Sequence, residues 1–161
     1  MAKTATYSLI ESQTLGSATA TVTFSSIPAT FTDLILIIKA TTISANYNLR
    51  LNGDTGANYS YTVIAGNGSS ATSSRSSSNT VIGLTYTGSG APMTKLQIQD
   101  YANTTTYKTV LNRQDDAANA TVASVGLWRS TAAINSITVV SPGTTPSGTT
   151  FKLYGIQAGN A

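Results

Sequence analysis

Apolar and polar residues alternate with a period of two along this chain, and clusters of glycine, asparagine and proline interrupt the alternation at short intervals. Successive side chains of an extended strand point to opposite faces, so this period marks half-buried β-strands. The stretch "TATYSLIES" alternates through Ala5, Tyr7 and Leu9, and "ATATVTFSSI" alternates through Ala20, Val22 and Phe24 against a row of threonines. "FTDLILIIKA" is different, being apolar on both faces, as a central strand covered on two sides would be. Further stretches follow: "YNLRLNG", "YSYTVIAG", "NTVIGLTYTG", "TKLQIQDYA", "TYKTVLNRQ", "TVASVGLWRS", "INSITVVS" and "TTFKLYGI". Together they predict about eleven short strands. In the last of them Phe151 and Leu153 should enter the core, while Lys152 and Tyr154 look outward. Turns fall at "NGDTG", "GNGSS", "TGSG" and "SPGTTPSG", where glycine and asparagine accept positive φ cheaply.

Strands at this spacing, without a convincing helix among them, predict an all-β fold, a sandwich or barrel of antiparallel strands. The 161 residues suit a single domain spanning 1–161, large enough to bury its own core. Two stretches break the pattern. "GNGSSATSSRSSSN", Gly66 to Asn79, has the composition of a flexible linker and reads as one long exposed loop. Around "QDDAANA", Asp115 or Asp116 could cap a turn of helix.

Chemistry is narrowed by what the chain lacks. There is no cysteine and no histidine, so thiol nucleophiles, disulfides, structural zinc and the commonest general base are all missing. Carboxylate pairs are the acid–base chemistry that remains, with Asp54 and Asp100 as the pair a sugar-cleaving site would need. Without further catalytic residues, a non-enzymatic role without cofactors is the stronger expectation. Asn52, Asp54 and Asn58 could offer oxygens to calcium, but one carboxylate is thin for that charge. A tight hairpin fits the same residues better, with Asn-Gly or Gly-Asp setting the turn and the Asp54 side chain accepting from backbone amides.

Charged residues make up only 9% of the chain, against about 25% in an ordinary domain. Nine Lys and Arg outnumber six acids, and no two of the basic residues are adjacent in sequence, so no nucleic-acid groove is expected. The longest apolar run, "LILIIKA", is far too short to cross a membrane, and no signal peptide is visible; the protein is expected to be soluble and made in a cytoplasm. A hydroxyl-rich, weakly charged surface suits a part held in an assembly, or one that meets glycans by hydrogen bonding. Trp128 and Arg129 are residue types enriched at the centres of interfaces, and with Tyr154 they are the candidate subunit contacts. Tyr47, Tyr59, Tyr61, Tyr101 and Tyr107 lie near loop ends, where rings could stack on sugars or simply pack over the ends of the sandwich.

Taken together, "TVTFSSIPATFTDLILIIKA", "LRLNGDTGANYSYTVIAGNGSS", "YANTTTYKTVL", "GLWRSTAAINSITVVS" and "TTFKLYGI" resemble a family of small structural proteins of tailed bacteriophages, of the cyanophage and marine phage type. The resemblance runs from about Thr6 to Ile156 and rests on the order and spacing of all five stretches. It implies a jelly-roll-like β-sandwich that serves as a virion part, with no catalytic residues. The chain shows neither the repeats nor the heptads of a fibre shaft. The expected role is therefore a capsid decoration, or cement, protein on the outer surface of the major capsid shell, made in the host bacterial cytoplasm. Its expected partners are the major capsid protein and two further copies of itself in a homotrimer. The alternative is a module of a tail fibre or tailspike that binds a glycan of the host surface.

Overall fold

A computed structural model describes residues 5–42, 46–84, 93–116 and 120–157. Among them are twelve strands and no helix. In chain order these are β1 (Tyr7–Thr14), β2 (Thr19–Phe24), β3 (Asp33–Lys39), β4 (Tyr47–Leu51), β5 (Tyr59–Gly66), β6 (Ala71–Asn79), β7 (Ile82–Leu84), β8 (Met93–Ile98), β9 (Lys108–Asp116), β10 (Ala120–Trp128), β11 (Ile137–Thr145) and β12 (Thr150–Ile156). They form two antiparallel sheets, an eight-stranded one in the order β1-β12-β3-β8-β9-β10-β5-β6 and a four-stranded one in the order β2-β11-β4-β7. The fold is a β-sandwich, as the alternation predicts.

The inner faces of the two sheets meet in one core. From the larger sheet come Leu34, Leu36 and Ile38 of β3, Leu96 and Ile98 of β8, and Phe151 and Leu153 of β12. From the smaller come Val22 and Phe24 of β2, Leu49 and Leu51 of β4, and Ile137 and Val139 of β11. β3 lies between β12 and β8, in the interior of its sheet, but the smaller sheet covers only one of its faces; on the other, Ile35 is buried and Ile37 half-buried. Lys152 is exposed and Tyr154 half-buried, so β12 points its side chains as expected. Two glycines on the inner face make room for the other layer: a Cβ on Gly155 would lie 2.2 Å from Cγ of Phe31, and one on Gly126 would lie 2.4 Å from Cγ2 of Ile82.

Three expectations are corrected. The serine-rich stretch 66–79 is not a long loop: it holds the tight turn at Asn67 and then β6, which pairs with β5 along its length. Asn67 Oδ1 accepts from the backbone N–H groups of Ser69 and Ser70, and this bonding builds the turn. Asp115 and Asp116 cap no helix, since they lie in β9 opposite Thr121 and Ala120. Tyr7 and Leu9 face solvent rather than the core. The register of β1 on β12 shifts between Leu9 and Glu11, and Ile10, the unpaired residue at that bulge, packs against the core.

Candidate functional site

The "NGDTG" turn is built as its residue types suggest, but it joins no hairpin. Asn52 and Gly53 both have positive φ, at 52° and 66°, and the Asp54 N–H donates to the Leu51 carbonyl, which makes a type I′ turn. The strands on either side belong to different sheets, β4 pairing with β11 and β7 and β5 pairing with β10 and β6. The turn is thus a corner of the sandwich. Asp54 Oδ1 accepts from Gly56 N at 2.7 Å, while Oδ2 accepts from Asn58 Nδ2 at 2.9 Å and from the Trp128 indole Nε1 at 2.7 Å. Chiefly because of the indole bond, the Asp54 carboxyl lies below its ordinary pKa of 3.8. Asn52 Oδ1 accepts from the N–H groups of Asn135 and Ser136. These oxygens are aimed at N–H donors rather than at a common point, and the calcium reading finds no support in their arrangement. Among the described residues no three His, Cys, Asp or Glu come together as metal ligands.

Trp128 belongs to the same constellation, and it is withdrawn as a subunit contact. It is 3% exposed, and its ring stacks on Tyr59 with centroids 6.3 Å apart and planes 14° from parallel. The Tyr59 hydroxyl accepts from Leu51 N–H at 3.1 Å and faces the carbonyls of Leu51 and Asp54, each at 3.2 Å. Burial pushes its pKa up to about 12. Arg129 is half-buried and donates from Nη2 to Ser60 Oγ at 3.1 Å. Sequence showed the residue types here but not that they lock one corner together.

The five tyrosines proposed for sugar stacking separate. Tyr47, Tyr59 and Tyr101 are buried, so no sugar can lie on their rings. Tyr47 packs edge-on against Phe151, and the Tyr101 hydroxyl donates to the Pro28 carbonyl. Tyr61 is half-buried with its ring over Gly83, where an added Cβ would lie 2.7 Å from Cζ. Tyr107 alone of the five is well exposed. The carboxylates offered for catalysis are likewise tied into their own turns: Asp100 Oδ2 accepts from Asn103 Nδ2 at 2.7 Å, and Asp54 is bonded as above.

A different surface emerges from the strand register. Direct partners across the large sheet place Leu9, Tyr154, Ile35, Gln97, Leu111, Val125, Thr62 and Arg75 in one row on its outer face, the face turned away from the smaller sheet. The next row holds Lys152, Ile37, Lys95, Arg113, Ala123 and Ile64. Beyond it lie Lys39 and Met93, paired with one another. Leu9, Val125 and Ile64 are 56%, 48% and 61% exposed, and Tyr7, Met93 and Leu111 are exposed on the same face. Tyr107, just ahead of β9, is the remaining exposed large hydrophobic among the described residues. Tyr7 meets Tyr154 edge-to-face at 6.3 Å. A depression of about 350 Å³ opens beside them, lined by Ile37, Lys39, Met93, Thr150, Lys152 and Tyr154. Sequence missed this face because Tyr7 and Leu9 read as core residues and the cations that share it come from five separate strands.

No family model matches the chain, and no curated protein matches it either.

Proposed function

We propose that this protein is a non-enzymatic structural component of a bacteriophage virion, a decoration protein seated on the outer surface of the capsid shell and assembled there as a trimer. The observation that carries the reading is the strand pairing. β1 pairs with β12, β2 with β11, β3 with β8 and β4 with β7, so the chain runs out as one half of a long antiparallel ribbon and returns as the other. Folding that ribbon into two sheets gives β1-β12-β3-β8 on one side and β2-β11-β4-β7 on the other, an order that supports reading the sandwich as jelly-roll-like. The hairpins β5–β6 and β9–β10 are then insertions that widen the first sheet beyond β8. Jelly rolls recur in viral capsid and lectin domains, and fold alone does not choose between these. The lack of histidine and cysteine, and the binding of Asp54 and Asp100 within their own turns, favour a binding role over catalysis.

Counting copies tests the location. Quantitative mass spectrometry of purified particles should give a number on the order of hundreds, matching sites on a closed shell. A number of about three to eighteen, set by the low rotational symmetry of a tail, overturns the capsid reading. The glycan-binding alternative keeps one specific support, the exposed ring of Tyr107. It requires the isolated protein to bind host polysaccharide and to lose that binding in Tyr107→Ala.

A further inference from the structure

Among the described residues the smaller sheet covers much of the inner face of the larger one, and nothing covers the outer face. We propose that this outer face docks onto an acidic, apolar protein surface, one in which carboxylates are interleaved with aliphatic or aromatic side chains. The proposal deepens the reading of the protein as a virion part, which supplies the place where such a partner would be met.

Three observations carry it. Apolar side chains left in water are concentrated here: Leu9, Ile64, Leu111 and Val125 lie in the two central rows, and contiguous exposed apolar surface marks an interaction site more often than an accident of folding. The charge on the same face is mostly basic, with Asp33 at one end of β3 and Asp115 at the register position opposite Met93 as its acidic members. Lys39, Arg75, Lys95, Arg113 and Lys152 belong to this face, five of the nine basic residues in the chain. Asp33 already accepts from Gln97 Nε2 and from Asp100 N–H, each at 3.0 Å. Finally, the size is right. Seven inter-strand spacings of about 4.8 Å and strands about 20 Å long give a face of roughly 700 Å². A stable interface of standard size takes about 800 Å² from each partner.

The same observations choose the occupant. A second copy laid face to face would set lysine and arginine against lysine and arginine, which is unfavourable. A nucleic acid would pair its phosphates with the cations but would leave Ile35, Leu111, Val125 and Ile64 facing charged backbone, and stacking there would need aromatic rings at the centre of the face. A partner with carboxylates around apolar side chains satisfies both. The depression between Lys39 and Lys152, floored by Ile37, Met93 and Tyr154, is where one acidic side chain with an apolar neighbour would seat.

The test uses the full chain in cells that assemble it. A benzophenone amino acid replaces Leu111 or Val125, with Thr21 on the exposed side of β2 as the control position, and cross-linked peptides are sequenced by mass spectrometry. The expected result is cross-links from positions 111 and 125 to acid-rich, apolar peptides of another protein, with the control position giving none of them. Cross-linking should fall at least tenfold in Lys39→Glu/Lys152→Glu and persist in Lys39→Arg/Lys152→Arg, both variants melting close to the parent. Cross-links to a second copy, to nucleic acid or to peptides poor in acids overturn the proposal, as does an equal yield from the control position. The two readings fail separately. An acidic partner that is not part of a particle leaves the docking surface standing and removes the virion role; a particle protein cross-linked only through Thr21 does the reverse.

Discussion

Asp54 is the residue on which one corner of the sandwich turns, because three donors converge on its carboxylate and one of them is the indole of a nearly buried tryptophan. Asp54→Ala leaves the Trp128 N–H and the Gly56 N–H without that acceptor and should cost about 1–3 kcal/mol, read by thermal melting, with a shift in Trp128 fluorescence. The pH dependence has a definite sign. The folded Asp54 pKa lies below the unfolded value of 3.8, so its contribution is complete above 3.8 and is lost as pH falls through the folded value; Asp54→Asn should flatten the acid side of the stability profile. Tyr59 acts at the other end. Its pKa moves from 10.0 to about 12, so the folded protein holds a proton that the unfolded chain releases, and stability should fall as pH rises from 10 toward 12. Tyr59→Phe should make that alkaline slope shallower, leaving the part owed to the buried Tyr47 and Tyr101, while lowering stability near neutrality, because Leu51 N–H loses its acceptor. Lys108 is 1% exposed and donates to the carbonyls of Thr106 and Thr131. Desolvation lowers its pKa, with the charge of Asp100 opposing the shift. Neither the burial nor the partners of this lysine can be seen in "TYKTVL", since a lysine in an alternating strand reads as a solvent-facing residue.

Strands were legible to the extent that they carry two kinds of side chain. β2, β4, β10 and β12 alternate buried and exposed positions, and each was marked by its sequence. β6 was not, because Ala71–Asn79 has five serines in nine residues and no large apolar one, and lies largely exposed on both faces, so backbone pairing with β5 is what makes it a strand. β1 was found but faced the wrong way, since period two fixes which residues share a face and leaves open which face meets the core. Gly155 shows the opposite case, a place where a strand tolerates no side chain at all. Gly155→Ala would push a Cβ into the Phe31 ring and should destabilise by about 1–3 kcal/mol in denaturant titration. Removing β12 altogether, by ending the chain before Gly148, takes away the strand between β1 and β3 and both Phe151 and Leu153. That variant should show no cooperative melting.

The two sheets differ in width, eight strands against four, and this difference organises stability across the molecule. Where they overlap, β3, β8 and β12 are roofed by β2, β11 and β4, and most of the buried aliphatic side chains of the core, with Phe24 and Phe151, come from these strands. Toward the other edge the roof ends at β7, three residues long, and β6 beyond it has neither face covered. Val63 and Val122 are buried near this margin, whereas Ile64 and most of β6 are open to water. Local opening is cheapest where few apolar contacts must be broken, so the β5–β6 hairpin should be the least protected part of the large sheet and β3 the most protected. Native-state amide exchange on the free protein measures this directly: amides of Ala71–Asn79 should exchange several orders of magnitude faster than those of Asp33–Lys39, which should approach the rate set by global unfolding. Equal protection along both strands would mean that the hairpin is held by something other than the contacts of this chain. The comparison has a second use in the assembled state. A partner laid across the outer face spans Leu9 at one edge and Arg75 at the other, so binding there should slow exchange in β6 most, because its exchange is the fastest when the protein is free. A partner that touches only the smaller sheet would leave β6 exchanging as before.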